Sequence, residues 1–565
     1  MSETVWEQLK NERKQLQAAG RLPYWMTTPS WQMLKSKYTT EDYPDFRALA
    51  ERIADRAASY MPYSGLWSGR FFSLMWKGWM AASTPVLSNM GTGRGSPVSC
   101  SGNLVLDNVG DFYEKQKEAA LLSKNGFGTS SYLGLIRERG SRFGQDGTAS
   151  GVVPVLKDFI QVSQDISQGS TRRGAWAGYL EIEGGDYWEA VDYLAKHPDD
   201  CNLGWNIRDS FIERLEASDR DAIKRYQRAM ATKMKTGKGY FFFPDKVNRL
   251  APPMYKDMNL EVLASNLCTE ITLYQDEDHT FTCVLSSMNL AKFDEWKDTD
   301  AVFWATVFLD CVAEDFIQVG QHIEGLERAV RFTHKSRALG LGALGFHTYL
   351  QDRMLPIDGM EAHFTNQKMF KHLHDESLRA SEWLAETKGE PEWCKGYGVR
   401  NTHRTAVAPN TSSALICGAV SQGIEPVYKN VYSQGSSAGE IDRINPSIIS
   451  LMKRKGIYND DTIAKLVRAD GSIQDMDEFT DEEKLVFRTA FEVPQDALIR
   501  LASTRQLYIC QAQSLNLFFS AEEDPAVISW VHQQAFRDPN ILSLYYVRSQ
   551  SGVKGSTGEC TACEA

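Results

Sequence analysis

The sequence predicts a mixed α/β fold. Segments with apolar residues at helical spacing, such as Phe46-Arg47-Ala48-Leu49-Ala50-Glu51-Arg52-Ile53-Ala54, alternate with short runs that read as strands, such as Cys283-Val284-Leu285. Composition supports a packed core: 42% of residues are hydrophobic and 24% charged, with 14 Trp and 26 Phe, unlike a disordered chain or a repeat array. At 565 residues the length admits several domains or one large barrel.

Taken in order, residues 1–85 read as a helical region. Residues 85–106 mix Gly, Ser and Thr with short apolar runs and read as loops leading into a strand. Helices are expected over 111–124 and 155–166, a largely helical stretch over 187–235, a strand opening at Cys283, and helix again over 301–325. Gly340-Leu341-Gly342-Ala343-Leu344-Gly345 matches the dinucleotide-binding pattern in letters only. No β-branched strand precedes it and no ribose-binding acid follows at the right remove, so its small residues are read as packing a helix against the fold. His372 and His374 fall on different sides of a helix and are read as a solvated face rather than as metal ligands.

Net charge is −11, which argues against a general nucleic-acid surface but leaves room for local phosphate pockets. The N-terminus lacks a basic segment followed by an apolar one, and no run reaches membrane-spanning length, so the expectation is a cytoplasmic protein with no membrane partner. Ten cysteines in such a chain are expected to be reduced, buried or catalytic.

One stretch stands apart, Ala264-Ser265-Asn266-Leu267-Cys268-Thr269-Glu270-Ile271. Extended geometry would turn Asn266, Cys268 and Glu270 to one side, so that an amide, a thiol and an acid converge on one ligand. An arbitrary match of this kind is usually a buried cysteine in a strand. Its company decides otherwise: Cys100 after Thr84-Pro85-Val86-Leu87-Ser88-Asn89 and Ser99, Cys283 before Val284-Leu285-Ser286-Ser287-Met288-Asn289, and an ending of Tyr545-Tyr546 and then Cys560-Thr561-Ala562-Cys563.

Together, and in this order over nearly the whole chain, these residues resemble the catalytic large (alpha) subunit of class I ribonucleotide reductases. The resemblance implies a ten-stranded α/β barrel of two five-stranded halves with Cys268 on a loop inside it. The parts would be an N-terminal helical region over 1–85, the catalytic barrel over 86–546 and a redox-shuttle tail over 547–565. The family-like Leu22-Pro23-Tyr24-Trp25 begins almost at once, leaving no room for the N-terminal ATP-binding domain that often precedes it.

The implied activity is reduction of ribonucleoside diphosphates to deoxyribonucleotides. A thiyl radical on Cys268 would take the 3′-hydrogen, Glu270 would act as general base on the 3′-OH, and Asn266 would orient the sugar. Cys100 and Cys283 would supply the reducing equivalents and end as a disulfide, which Cys560 and Cys563 on a polar tail would reduce by exchange. Tyr545 and Tyr546 resemble the pair that brings the radical from a metal-containing small (beta) subunit. Substrate contacts are implied at Thr84, Ser99, Gly126, Asn266, Glu270, Pro409, Asn410, Thr411, Ser412 and Ser413. Asp107, Arg137, Arg142, Gln168 and Arg173 fall in the site that sets substrate specificity.

The resemblance further implies no permanently bound cofactor and no metal ligands in this chain, Mg2+ arriving with nucleotides, and dNTP or ATP effectors. Thioredoxin or glutaredoxin is the implied reductant, and a homodimer is compatible. Two rivals stay open on sequence alone: an adenosylcobalamin-dependent reductase, which would not need the tyrosine pair, and a nucleotide sensor without catalysis.

Overall fold

The computed structural model describes residues 3–98, 100–166, 174–436 and 439–549. Four helices, Glu3–Ala18, Thr28–Lys37, Phe46–Ala58 and Ser64–Trp76, open the chain. Local chemistry sets their starts: the Asp45 side chain accepts from the Ala48 N–H, and Thr27 does the same for Ser30, satisfying amides that the first turn leaves open. The apolar stripe of Leu49, Ile53 and Ala57 is buried in a core shared with Phe308, Leu341 and Val407.

Apart from two separate hairpins, Arg142–Phe143 with Gly147–Thr148 and Val431–Ser436 with Gly439–Ile444, the strands among the described residues are β1 (Met80–Ala82), β2 (Cys100–Leu104), β3 (Gly128–Tyr132), β4 (Trp176–Glu181), β5 (Leu203–Asn206), β6 (Tyr240–Phe242), β7 (Phe281–Asn289), β8 (Leu339–Leu344), β9 (Leu517–Phe519), β10 (Ser543–Leu544) and β11 (Val547–Ser549). Strands β2 to β6 are parallel neighbours in chain order, with helices in the crossovers. A second parallel set runs the other way. In it β7 pairs β8, β8 bonds to the segment 403–407, that segment pairs 511–514, and β9 pairs β11.

Two antiparallel seams join the sets. At one, β2 pairs β7; at the other, β6 pairs β10. Counting 403–407 as one segment, 511–519 as a second and 543–549 as a third, ten segments close a ring of two five-membered halves. This is the barrel that the resemblance implies.

The finer expectations fare unevenly. The helix expected over 155–166 is Val152–Asp165, and that over 301–325 is Ala301–Gly320. The region 1–85 ends in a strand, β1, and the largely helical 187–235 contains β5. Four residues, Leu203-Gly204-Trp205-Asn206, are too few to carry a period. The glycine motif at 340–345 is itself a barrel strand, β8, not a contact made by a helix. A Cβ on Gly342 would lie 2.6 Å from the Ala406 carbonyl, so the next segment packs where a side chain would stand. His372 is not on a solvated face: its ring lies 5.9 Å from both Phe293 and Trp296.

Residues 259–280, between the helix Pro253–Asp257 and β7, form a loop inside the ring. A buried loop must find partners for its backbone groups, because it has no ladder of its own. Strands of the ring supply them. Ser130 of β3 donates to the Ser265 carbonyl at 2.8 Å, Tyr179 of β4 to that of Asn266 at 2.6 Å, and Asn206 of β5 to that of Leu263 at 2.8 Å. From the other half, Ser514 donates to the Cys268 carbonyl at 2.6 Å and Ser543 to that of Thr269 at 3.0 Å. Buried strands that carry Ser and Asn are therefore doing for the loop what a partner strand would do.

Candidate active site

The loop turns sharply at Cys268. Thr269 has φ of 70°, in the left-handed region that β-branched residues avoid, and its N–H donates to the Asn266 carbonyl at 3.4 Å. Asn266, Cys268 and Glu270 are therefore gathered by a turn, which corrects the expectation of an extended strand with alternating faces. All three are buried, at 0%, 2% and 1% exposure.

Asn266 joins the cysteines to the turn. Its Nδ2 donates to Cys100 Sγ at 3.3 Å, and its Oδ1 accepts from the Ile271 N–H at 3.2 Å. Glu270 accepts from Ser514 Oγ at 3.1 Å. Burial pushes its pKa up to about 7, and hydrogen bonds from its own backbone, Asn266 and Ser514 oppose this only in part. A carboxyl poised near neutrality can exchange a proton in either direction.

Cys100 and Cys283 are paired residues of the β2–β7 seam, directly opposite each other. Opposed residues of an antiparallel pair have Cα atoms about 4.5–5.5 Å apart, which is within the reach of a disulfide. Cys283 is a thiol that accepts from Gln511 Nε2 at 3.6 Å. Burial raises its pKa well above the usual thiol range, so it holds its proton.

Tyr545 donates its phenolic hydrogen to Cys268 Sγ at 3.6 Å. Its ring lies 4.2 Å from that of Tyr546 and 4.7 Å from that of Tyr240, and Tyr240 donates to the Tyr546 hydroxyl at 3.0 Å. The phenol of Tyr545 is kept neutral, first by burial and then by the neighbouring sulfur. These tyrosines stand on β6 and on the segment 543–549, at the seam opposite the cysteine pair.

Beside this centre, Asn410 has φ of 60° and opens the short helix Thr411–Ile416. It accepts from Ser287 Oγ at 3.0 Å and donates to the Ala343 carbonyl at 3.1 Å, which fixes Pro409, Thr411, Ser412 and Ser413 at the ends of β7 and β8. Thr84 is buried at the start of Thr84–Asn89, and its hydroxyl shares a 2.9 Å hydrogen bond with that of Tyr38. Ser83 Oγ, Thr269 Oγ1 and Ser286 Oγ are buried without hydrogen-bond partners among the described residues. Gly126, with φ of 96°, forms the turn into β3.

Asp107 and Arg137 form an ion pair away from this centre. The Arg137 guanidinium lies 5.4 Å over the Phe143 ring, next to Arg142 in a small hairpin formed by Arg142–Phe143 and Gly147–Thr148. Ser99, Gln168, Arg173, Cys560 and Cys563 lie outside the described residues.

Sequence reasoning missed Tyr179, Tyr240, Gln511 and Ser514. For the last two a signal existed: Gln511-Ala512-Gln513-Ser514-Leu515-Asn516 sets four amide or hydroxyl side chains among apolar residues, although without strict alternation, since Gln511 and Gln513 fall on one parity and Ser514 and Asn516 on the other.

Comparison with known proteins agrees with this geometry. The family described as ribonucleotide reductase, barrel domain, matches residues 98–223, 220–396 and 391–547. A Frog virus 3 (isolate Goorha) chain is 33% identical over 524 residues, covering 86% of this chain and 91% of that one. The ribonucleoside-diphosphate reductase large subunit of Invertebrate iridescent virus 3 is 28% identical over 598 residues, covering 92% and 93%. The solved structure of the Actinobacillus ureae class Id ribonucleotide reductase alpha subunit superposes with a TM-score of 0.86 at 36% identity, covering 94% of this chain and 98% of that one. Barrel, enclosed cysteine loop and similarity over nearly the full length lead to one conclusion: this chain belongs to the ribonucleotide reductase family, as an oxidoreductase of the large, alpha-subunit type.

Proposed function

We propose that this chain reduces ribonucleoside diphosphates to deoxyribonucleotides by radical chemistry at Cys268, with a small subunit supplying the radical. The observation that carries this reading is the Tyr545 phenol on Cys268 Sγ at 3.6 Å, within a cluster of tilted rings that includes Tyr546 and Tyr240. Once the small subunit's radical has taken an electron and the phenolic proton from Tyr545 by way of Tyr546, the resulting phenoxyl oxygen can take the hydrogen atom of the Cys268 S–H, which restores the phenol and leaves a thiyl radical on Cys268.

That radical takes the 3′-hydrogen of the ribose while Glu270 accepts the 3′-OH proton. The 2′-oxygen leaves as water, with its added proton from the Cys100–Cys283 pair. The pair's second hydrogen goes to the 2′-carbon, so that the pair has given up two electrons and two protons in all and becomes a disulfide; Glu270 returns its proton to the 3′-oxygen and Cys268 returns the hydrogen to the 3′-carbon. Asn266, already bonded to Cys100, orients the sugar hydroxyls. The unpartnered hydroxyls of Ser83, Thr269 and Ser286 support placing the nucleotide here, with Thr84, Ser99, Gly126 and residues 409–413 around its sugar and phosphates.

Asp107, Arg137 and Arg142, with Gln168 and Arg173, form the specificity site for a dNTP or ATP effector. The Arg137–Phe143 contact supports this, since a cation and an exposed ring suit a nucleotide. Cys560 and Cys563 return electrons from thioredoxin or glutaredoxin to the buried pair, and Mg2+ accompanies the nucleotides.

The test is deoxynucleotide formation from a labelled ribonucleoside diphosphate with dithiothreitol, comparing a metal-loaded small subunit with adenosylcobalamin. Product with the small subunit alone is the expected result. Product with cobalamin alone overturns the radical route while keeping Cys268, and no product with either overturns the activity.

A further inference from the structure

Lys233 lies near the end of the helix Arg220–Thr236 and is 1% exposed. Among the described residues its ammonium has no carboxylate partner. It donates to two backbone carbonyls, that of Tyr545 and, at 3.0 Å, that of Gly239, and it lies 5.2 Å from the Phe241 ring centroid. Burying an ammonium without a counter-charge is costly, and desolvation pulls this one down to about 7. An apolar side chain would fill the same space without that cost, so whatever the ammonium contributes lies in its two carbonyls.

Those carbonyls belong to two particular peptides. The Tyr545 carbonyl begins the peptide that joins Tyr545 to Tyr546, and the Gly239 carbonyl begins the one that leads into Tyr240. Three phenols therefore hang from two peptide units that share one cation. Other contacts hold these segments too, among them Tyr545 N–H to the Leu515 carbonyl at 2.9 Å, Tyr546 N–H to Asn516 Oδ1 at 2.9 Å, Leu517 N–H to the Tyr546 carbonyl at 3.1 Å and Val547 N–H to the Gly237 carbonyl at 3.1 Å, while Tyr240 pairs with Gly204 in the sheet. Of the side chains named here, only Lys233 spans both peptides.

We infer that Lys233 is a positioning residue for radical transfer, fixing the peptide of Tyr545–Tyr546 and that of Tyr240 in one frame. The three rings then keep their tilted contacts and the Tyr545 phenol keeps its place on Cys268. This rests on the reading of Tyr545 and Tyr546 as the radical route. Lys233 touches neither the nucleotide nor the sulfur, so its loss acts on the transfer step and not on substrate binding.

The experiment compares Lys233→Met, Lys233→Arg and Tyr545→Phe in the full chain with its small subunit, a ribonucleoside diphosphate and dithiothreitol. Lys233→Met is expected to lower kcat about tenfold or more with KM unchanged, while the melting temperature holds or rises because a buried unpaired charge is gone. Lys233→Arg, which keeps a cation, recovers part of the rate. A more easily oxidised tyrosine analogue at position 545 gives a broadened radical spectrum in the Lys233→Met background, a signature that mere loss of stability does not produce; if Lys233→Met does not fold, the spectrum is read in Lys233→Gln, which carries no charge, and a parental spectrum there overturns the inference.

Parental kcat and spectrum in Lys233→Met, with Tyr545→Phe inactive, overturns the inference and leaves the radical reading intact. A fall in kcat that only tracks the folded fraction, with Arg no better than Met, overturns it equally. Activity in Tyr545→Phe overturns the radical reading, and the inference with it.

Discussion

Cys100 and Cys283 stand directly opposite each other at the seam where the two halves of the barrel meet antiparallel. One residue comes from each half, so the pair reports on how the halves are assembled as well as on chemistry. Cys283→Ser is expected to hold nucleotide binding and lower steady-state turnover by at least ~100-fold, because the serine cannot complete the two-electron step. Rapid-quench product counting with nucleotide titration checks this; normal turnover in Cys283→Ser removes the pair from the mechanism.

Gly340 adjoins the same sulfur. A Cβ there would lie 2.8 Å from Cys283 Sγ and 2.5 Å from Leu285 Cδ2. Gly340→Ala is expected to cost about 1–3 kcal/mol of stability through overpacking and to slow turnover more than it weakens nucleotide binding. Chemical denaturation with parallel kinetics tests both effects, and a variant with parental turnover shows that the sulfur does not need this space.

The raised pKa of Glu270 gives a pH dependence with a definite sign. Its folded value of about 7 exceeds the ordinary 4.5, so between these values the folded state binds more protons than the unfolded. The stability contributed by the protonated acid is present in full below 4.5 and is lost as pH rises through 7. Glu270→Gln should therefore be more stable than the parent at pH 8, by on the order of 2–3 kcal/mol, yet inactive. Activity of the parent should rise with pH through about 7, as a base loses its proton. A flat pH–rate profile together with an active Glu270→Gln variant would show that another group takes the proton.

Tyr545→Phe removes one hydroxyl and its contact to Cys268 Sγ while leaving the tilted ring contacts in place. Turnover is expected to fall by ~1,000-fold or more, with the melting temperature and nucleotide affinity close to the parental values. Calorimetry and steady-state kinetics on the same preparation separate this from unfolding.

The tail can be tested by the choice of reductant. Cys560→Ala should keep turnover with dithiothreitol, which reaches the buried disulfide itself, and lose turnover with thioredoxin. Equal losses with both would mean that the tail is not the shuttle.

Much of this architecture is legible in the sequence, and the gaps have physical causes. Cys268 stands out in the sequence because two distant cysteines and a tyrosine pair accompany it, but local spacing there predicts a strand where the chain makes a turn. The left-handed Thr269 that makes the turn is held by Ser543, far along the chain, and local spacing carries no trace of that. The strand β5 was hidden in a helical stretch for want of length, and β8 was disguised by glycines that close packing demands. Tyr240 and Lys233 were invisible for another reason: their importance exists only once the segment 543–549 has packed against them.

That segment is also the last to leave the ribosome among those that close the ring. Strands β2 to β6 pair with near neighbours in sequence, so the first half can fold while synthesis continues. The second seam needs residues 543–549 against 237–242, a separation of about three hundred residues, and such long-range closure is slow. Until it forms, the Cys268 loop lacks the Ser543 and Tyr545 contacts that shelter it. A nascent or truncated chain that lacks residues 543–549 therefore has an unfinished enclosure around Cys268, and the loop is walled in only when the second seam docks.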